Sequence, residues 1–458
     1  MIIDQQSDFD RVELSFEELD QGYTPRQAIA EAKRCLQCAK PACRQGCPVE
    51  NDIPQFIRAL ALGNIGEASA IIARRSNLPA VCGRVCPHEK QCEGRCILHK
   101  KGQPIHIGKL ERFIADFDAE MAITQPTACP VLNKGKVAVI GSGPAGLTVA
   151  GDLAKQCFAV TVFDALEEPG GVLMYGIPDF RLNKEVVRRE IRKIENLGVT
   201  FRTGVLIGQD LTIDDLFADG YDAVFIGTGT AVPKTLDVPG NELPGVMQAA
   251  YFLRIVALAN AGKVSHREIP VSIGDHVFVV GAGNVAMDAA RTAVRVGAAR
   301  VTVIYRRSEA DMTALQSEYE SAQSEGVQFR WMSSPTQCIG DDMLTGIELE
   351  TMEFTNDDRR RLIATGQKET LRADKIILAI GQRPAARIIS TTGGIEVNPH
   401  GYVITREKPY GMTTRKGVFA GGDVVHEPAT VVLAMKAAKK VAAGIVMYVE
   451  AKKLLEEL

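Results

Sequence analysis

The hydrophobic positions in the first quarter of the chain follow helical spacing. Apolar residues recur every three or four positions in Pro25–Cys35, Ile53–Leu62 and Ile65–Arg75, as on the buried face of a helix. No strand-like alternation occurs before residue 130, and Gln125–Pro130 has the composition of a linker. The pattern therefore predicts a helical region over residues 1–130.

At Lys136 the pattern changes to short apolar strands separated by helices. Val137–Ile140 predicts a buried strand that runs into the glycine-rich turn Gly141–Gly146. A helix is expected from there to about Lys155, and a second strand over Val160–Phe163. This order of elements predicts a βαβ unit with a parallel sheet.

The same order returns later in the chain. His276–Val280 predicts a strand, and Gly281–Ala286 is again a glycine-rich turn. A helix is expected to about Val296, followed by a strand over Arg300–Tyr305. Two such units in one chain predict two nucleotide cofactors.

The glycines have separate physical roles in such a turn. The first allows a tight bend, the second lets backbone N–H groups approach a pyrophosphate, and the third lets the helix pack on the strand. Asp164 ends the next strand, 18 residues after Gly146, where an acid suits the ribose hydroxyls. The alternative is an ordinary glycine turn without a ligand.

The second unit has arginines where the first has its acid. Arg306 and Arg307 follow the strand, which suits a 2′-phosphate and predicts NADPH. The nearby Glu309 keeps NADH open, and a solvated basic strand end is the plain alternative.

The carboxyl-terminal segment is expected to complete the first unit. Gly417–Asp423 predicts a strand whose Asp423 suits a flavin ribityl or phosphate contact, and a helix is expected to begin near Thr430. Tyr221–Gly229 and Lys375–Gly381 are apolar strands ending in glycine, which suits chain crossings between domains. This plan predicts FAD on the first unit, with the nicotinamide unit inserted into it.

Length and charge exclude some classes of protein. A chain of 458 residues is too long for one core. Its net charge of −3 gives no sign of a nucleic-acid or membrane partner, and no apolar run approaches the ~18 residues of a membrane span. Met1–Gln5 lacks the features of a signal peptide, so a cytoplasmic location is expected.

The cysteines are unevenly placed. Eight of the 11 fall between Cys35 and Cys96, in two runs that each contain Cys-Pro, and the other three are scattered. Closely spaced thiolates followed by proline favour iron–sulfur clusters, although zinc also accepts four thiolates. Spacing alone suggests two consecutive sets of four. A flavin accepts a hydride and releases single electrons, so clusters would give it an outlet.

These residues together resemble one family over nearly the whole chain. The resemblance rests on the cysteine runs, Asn51–Pro54, Pro104–Gly108, Tyr175–Pro178 and Gly421–Asp423, besides the first glycine-rich turn and Tyr305–Arg307. The family is that of the small (beta) subunit of NADPH-dependent glutamate synthase. The same module occurs in the amino-terminal half of dihydropyrimidine dehydrogenase and in the large subunit of the electron-bifurcating ferredoxin:NADP transhydrogenase.

The resemblance implies which residues bind each cofactor. One 4Fe-4S cluster would be held by Cys35, Cys38, Cys43 and Cys96, and the other by Cys47, Cys86, Cys92 and Glu111, with Cys82 a non-ligand. The residues implied for FAD are Gly141, Gly143, Pro144, Ala145, Gly146, Asp164, Gly171, Arg181, Gly422, Asp423 and Thr430. Those implied for the nicotinamide cofactor are Gly281, Gly283, Asn284, Val285, Arg306 and Arg307.

The sequence also departs from the family. Asp164 stands where Glu is usual, Asn284 where Asp is usual, and Asp311–Thr313 replaces Glu-Met-Pro. The last two touch the nicotinamide domain and weaken the expectation of strict NADPH preference.

The expected architecture is α/β, with a helical iron–sulfur domain followed by two Rossmann-like domains. Predicted ranges are 1–130 for two 4Fe-4S clusters, 131–248 and 386–458 for FAD, and 249–385 for NAD(P)H. The hypothesis is that NADPH reduces FAD, and that single electrons leave through the clusters to a second catalytic subunit. Glutamate synthase is the first choice; a bifurcating transhydrogenase or a pyrimidine-reducing complex is the alternative.

No catalytic acid is expected, because hydride transfer depends on positioning. A zinc-bound structural or redox-sensing scaffold is the rival from another class. A thioredoxin-reductase-like enzyme would need a CxxC motif in the nicotinamide domain, which has none.

Overall fold

A computed structural model describes residues 15–130, 133–355 and 360–456. Met1–Gln5, on which the expectation about a signal peptide rests, lies outside the described residues. The chain forms two compact units. We call residues 18–177, 181–234 and 381–456 the main unit, and residues 15–17, 178–180 and 235–380 the inserted unit.

Within the described residues, the α-helices are α1 (Pro25–Lys33), α2 (Ala42–Gly46), α3 (Ile53–Ala61), α4 (Ile65–Ala73), α5 (Pro79–Val85), α6 (Ile107–Glu120), α7 (Pro144–Ala154), α8 (Val172–Tyr175), α9 (Lys184–Glu195), α10 (Ile213–Ala218), α11 (Ala249–Asn260), α12 (Asn284–Arg295), α13 (Gln316–Ser324), α14 (Arg387–Thr391) and α15 (Val431–Glu456). The strands are β1 (Lys136–Ile140), β2 (Ala159–Asp164), β3 (Thr200–Thr203), β4 (Ala223–Ile226), β5 (Val232–Pro233), β6 (Val246–Gln248), β7 (His276–Val280), β8 (Arg300–Ile304), β9 (Gln328–Arg330), β10 (Ser333–Gly340), β11 (Leu344–Phe354), β12 (Leu362–Arg372), β13 (Lys375–Leu378), β14 (Gln382–Arg383), β15 (Thr405–Glu407), β16 (Tyr410–Thr413) and β17 (Val418–Ala420).

The amino-terminal part of the main unit is helical, and residues 15–130 contain no strand. The three predicted helices are confirmed as α1, α3 and α4. Helix α1 begins where the Thr24 hydroxyl accepts from the Gln27 N–H and the Gln27 side chain accepts from the Thr24 N–H, a reciprocal cap that fixes its start. Phe56, Leu60 and Ile114 are fully buried in the core that these helices share.

The rest of the main unit is built on one twisted sheet in the order β15-β16-β17-β4-β1-β2-β3. Strands β17, β4, β1, β2 and β3 are parallel, so the carboxyl-terminal strand β17 pairs directly with β4. This pairing confirms that the carboxyl terminus completes the first dinucleotide unit. The short antiparallel pair β5–β14 joins the two segments that flank the inserted unit.

The inserted unit has a parallel sheet in the order β6-β13-β7-β8-β9. The sequence did not predict β10, β11 and β12, which form a three-stranded antiparallel sheet. Strand β6 precedes the predicted domain start at residue 249 and pairs with β13 inside this unit. The four sequence-based domain ranges remain predictions.

Two of the scattered cysteines are joined. Cys129 and Cys157 form a disulfide with their Cα atoms 5.3 Å apart, linking the segment before β1 to the end of α7. This pair was not predicted, because neither cysteine belongs to a closely spaced run. No helix among the described residues has both the length and the apolar character needed to cross a membrane.

Candidate redox-cofactor sites

The first cysteine set lies around one cleft. Cys35, Cys38, Cys43 and Cys96 all line it, beside apolar side chains of α3 and of the residues before α6. Burial, together with the neighbouring Cys35, Cys96 and Cys38, raises the pKa of the Cys43 thiol to about 11. The structure thus brings Cys96 to the first three cysteines, across about 50 residues of sequence.

The second set is deeper in the main unit. Burial raises the pKa of Cys47 to about 11, and the charge of Glu111 adds to the shift. The pKa of Cys86 is raised by a hydrogen bond with Cys82 and by burial, with Glu111 and Cys92 as further neighbours. Cys47, Cys86 and Cys92 therefore all lie near Glu111.

Glu111 itself is buried on α6. The Asn51 amide donates to its Oε1 at 3.3 Å. Burial, followed by the charge of Glu190, raises the pKa of this carboxyl to about 8. Asn51 and Glu190 escaped the sequence analysis, because amide and carboxylate partners from distant helices leave no spacing signal.

These donor sets fit a cationic centre. Several acidic groups crowded in an apolar surrounding resist ionisation, and a bound metal reverses that preference by deprotonating its thiol ligands. Within the described ranges, no three His, Cys, Asp or Glu side chains are grouped so as to hold one metal ion. A four-iron cluster separates its ligands more widely, because each thiolate binds a different iron.

Cys82 lies between the second set and α15. Its Sγ atom is 3.6 Å from Sδ of Met435 and 3.9 Å from Oγ of Ser76. The thiol is almost fully buried and also neighbours Cys86. Its exclusion from the ligand sets remains a prediction.

The first glycine-rich turn has the geometry of a pyrophosphate cradle. A Cβ on Gly146 would lie 1.9 Å from the carbonyl oxygen of Gly141, so only glycine lets α7 approach β1. A Cβ on Gly143 would meet no protein atom within 4 Å. Gly143 directly precedes α7, and the N–H groups in the first helical turn after Pro144 favour an anion there.

Other predicted flavin residues converge on this turn. A Cβ on Gly171 would lie 3.0 Å from Cα of Gly143, and one on Gly422 would lie 2.9 Å from Cβ of Ala145. Arg181 is half-buried shortly before α9. The elements before and after the inserted segment therefore meet at one place.

The carboxyl-terminal segment of the predicted flavin site includes a buried polar atom that has no hydrogen-bond partner among the described residues. Oγ1 of Thr430, just before α15, is buried, and no described residue hydrogen-bonds to it. Burial raises the pKa of Asp423 to about 6. An orphaned hydroxyl beside a helix amino terminus fits a ligand with polar ring edges such as a flavin.

Asp164 is engaged with the protein backbone. Its Oδ2 accepts from Ser142 N at 2.8 Å and from Ser142 Oγ at 2.5 Å, and its Oδ1 accepts from Leu166 N at 2.9 Å. Ser142 Oγ in turn accepts from Gly170 N at 2.8 Å. Asp164, shorter than the glutamate usual at this position, thus orients the turn through Ser142. The role of Ser142 was not predicted from the sequence. The contact of Asp164 with a ribose remains a prediction.

The second turn repeats this geometry in the inserted unit. A Cβ on Gly281 would lie 2.5 Å from the carbonyl oxygen of Ala379, and the nearest protein atom to one on Gly283 is 3.4 Å away. Asn284 opens α12 and accepts from Leu315 N at 2.9 Å, while Val285 is exposed. Arg306 and Arg307 are both exposed directly after β8.

Comparisons with known proteins agree with both parts of the chain. A family model described as dihydropyrimidine dehydrogenase domain II, 4Fe-4S cluster, matches residues 12–123, and one described as pyridine nucleotide-disulphide oxidoreductase matches residues 135–438. The glutamate synthase [NADPH] small chain of Halomonas elongata is 38% identical over 444 residues, covering 95% of this chain and 93% of that protein. The chain belongs to the glutamate synthase small-chain family. It is an oxidoreductase with an iron–sulfur domain and a domain for flavin and pyridine nucleotide.

Two further comparisons define the breadth of the family. The NAD-dependent dihydropyrimidine dehydrogenase subunit PreT of Escherichia coli (strain K12) is 35% identical over 436 residues, covering 95% of this chain and 97% of that protein. The structure of Mycobacterium tuberculosis FprA in complex with NADPH aligns with a TM-score of 0.57 at 21% identity, covering 70% of this chain and 86% of that one. This second likeness confirms the two-dinucleotide-domain fold.

Proposed function

We propose that the chain is the NADPH-oxidising electron-transfer subunit of a larger enzyme, with glutamate synthase as the first choice. Hydride would pass from NADPH on the inserted unit to FAD on the main unit, and single electrons would leave through two 4Fe-4S clusters. The observation that carries the proposal is the presence in one compact unit of a dinucleotide turn and two groups of neighbouring cysteines, the second with Glu111. FAD and the clusters supply the change from two-electron to one-electron chemistry.

The residues of the chain hold and orient these groups. Cys35, Cys38, Cys43 and Cys96 would hold one cluster, and Cys47, Cys86, Cys92 and Glu111 the other. Buried Glu111 is kept in place by Asn51. Thr430 and the amino end of α15 would orient the flavin, and the turn around Gly143 would take its pyrophosphate. No side chain is assigned a proton-transfer role.

Preference for NADPH is inferred from Arg306 and Arg307. Both are exposed at the carboxyl end of β8, where a 2′-phosphate would lie in a Rossmann-like domain. The nearby acid Asp311 accepts from Ser308 Oγ at 2.5 Å, which directs it toward its own turn. Guanidinium groups recognise phosphate through paired hydrogen bonds.

Replacing both Arg306 and Arg307 by glutamine should raise the KM for NADPH by about 10- to 100-fold, or ~1.4–2.8 kcal/mol of lost phosphate interaction. The rate with NADH should stay the same, because NADH has no 2′-phosphate. Anaerobic stopped-flow reduction of the flavin measures both. The control is Arg267→Gln, which replaces an exposed arginine elsewhere in the inserted unit.

Failure of both nucleotides to bleach the flavin in the unmodified chain would overturn the proposed reaction. An equal loss with NADPH and NADH in the double variant would instead contradict only the assignment of the 2′-phosphate site.

The partner is the second part of the proposal. Relatives are small chains or subunits of larger enzymes, which supports an electron-accepting catalytic subunit as the partner. The similarity to PreT favours a pyrimidine-reducing complex as the second candidate, beside a bifurcating transhydrogenase. Reconstitution with a glutamate synthase large chain, followed by NADPH-dependent glutamate formation, tests the first choice; formation of dihydropyrimidine with the corresponding second subunit would favour the other.

A further inference from the structure

A cleft of about 460 Å³ opens on the inserted unit, away from the glycine-rich turn. It lies at the amino ends of β7 and β8, which begin with His276 and Arg300, and along the short strand β9. Nucleotides bind at the carboxyl ends of parallel strands, where Gly281 and Arg306 lie. The cleft lining shares no residue with the predicted nicotinamide site.

The floor of the cleft is one face of the parallel sheet. Parallel pairing sets His276 beside Arg300, and Thr302 beside both Phe278 and Gln328. Side chains alternate along a strand and paired residues share a face, so all five point to the same side. The three cleft-lining strands thus present polar and cationic groups together with one buried phenylalanine.

This face of the parallel sheet is open at the cleft because the β10–β12 sheet covers only part of it. Helices cover one face of the inserted sheet, whereas the β10–β12 sheet packs on the other, against Phe278, Val280 and Ile304. Leu371 and Arg372, at the end of β12, form the wall of the cleft. The amino ends of the parallel strands extend beyond that wall.

The lining is strongly cationic. Among the described residues, the lining contains Arg300, Arg330 and Arg372, and no aspartate or glutamate. Arg330 pairs with Glu369 outside the lining, and Arg372 pairs with Asp374 at 3.3 Å. Exposed pairs of this kind contribute about 0–1 kcal/mol, so an anion can compete for both guanidinium groups.

Arg300 is the most available of the three arginines. Its side chain is exposed, and among the residues that the structure describes none makes a hydrogen bond or ion pair with it. Arg330 and Arg372 each have a carboxylate partner, so Arg300 supplies the positive charge that an incoming anion would meet without displacing another group. The charge pattern therefore indicates a ligand.

We propose that this cleft binds a small organic anion with two or more negative groups, the class formed by polycarboxylates and phosphate esters. The arginines would bind the anionic groups, while Phe278 and Leu371 would contact the carbon skeleton. The volume lies within the range of about 300–1,000 Å³ that is usual for small-molecule sites. The proposal is independent of the redox function.

The chain contains a built-in reporter of this cleft. Trp331, its single tryptophan, stacks on the lining residue Phe329 with ring centroids 5.4 Å apart. Citrate and fructose 1,6-bisphosphate would be titrated against the full holoprotein at constant ionic strength, with NADP⁺ present to fill the nicotinamide site. Acetate and methyl phosphate are the singly functional controls.

A saturable change in Trp331 emission is expected with at least one of the two polyanions, and not with acetate or methyl phosphate. Arg300→Gln and Arg372→Gln, both at exposed positions, should each weaken binding at least 10-fold, whereas Arg267→Gln should leave it unchanged. Binding of citrate alone assigns polycarboxylates, and binding of the bisphosphate alone assigns phosphate esters. Absence of saturation with both polyanions, or equal affinity in Arg300→Gln, Arg372→Gln and Arg267→Gln, would overturn the proposal.

Discussion

Replacing Cys43 by alanine is expected to remove about half of the iron and acid-labile sulfide, because each 4Fe-4S cluster needs about four ligands and Cys43 belongs to one set. Cys35, Cys38, Cys43 and Cys96 share a single cleft, and no further thiol of the described residues lines it. Iron analysis and the electron paramagnetic resonance spectrum of anaerobically purified, dithionite-reduced protein measure the loss. The flavin content should not change, since the glycine-rich turn is formed by other elements.

The matched control is Cys82→Ala. Cys82 lies in the same helical region and is as well buried as many core residues, but its nearest sulfur outside the ligand sets is Sδ of Met435. We expect this variant to keep its full iron content, with at most a small change in the spectrum of the second cluster. Equal iron loss in both variants would refute the ligand assignment, and zinc in place of iron would favour the scaffold hypothesis.

The sequence predicts those elements whose own residues carry the signal. The apolar spacing of α1, α3 and α4 marks these helices, and the apolar runs of β1 and β7 lead directly into their glycine turns. In both turns the chemistry is local, since the bend, the close approach and the helix start fall within six residues. Such features need no knowledge of distant contacts.

The sheet of β10, β11 and β12 was not predicted, and β12 shows one reason. Strand β12 is exposed along most of its length, so it has no alternation of apolar and polar residues. It is held by backbone pairing with β11, which leaves no trace in the side-chain pattern. Likewise, the meeting of Cys96 with Cys35 depends on how α3 and α6 pack, and spacing alone suggested consecutive sets.

Replacing Gly143 by alanine is expected to leave the unfolding free energy of the deflavinated protein within about 0.5 kcal/mol of the original. Its φ of −68° is ordinary for alanine, and the added methyl group would meet no protein atom within 4 Å. The same methyl group would occupy the space proposed for the FAD pyrophosphate. We therefore expect FAD affinity to fall by about 100-fold, or ~2.7 kcal/mol, in a fluorescence titration.

Two other glycines serve as controls for this experiment. Gly146→Ala would place a methyl group 1.9 Å from the Gly141 carbonyl oxygen, so it should lower stability by about 1–3 kcal/mol whether or not flavin is present. Gly283→Ala, in the inserted unit, should keep its FAD and weaken only the nicotinamide cofactor, because its methyl group lies in the second turn. If Gly143→Ala binds FAD normally, the space beside Gly143 is not the pyrophosphate site. If Gly283→Ala loses FAD while Gly143→Ala loses NADPH, the two cofactors occupy the opposite turns.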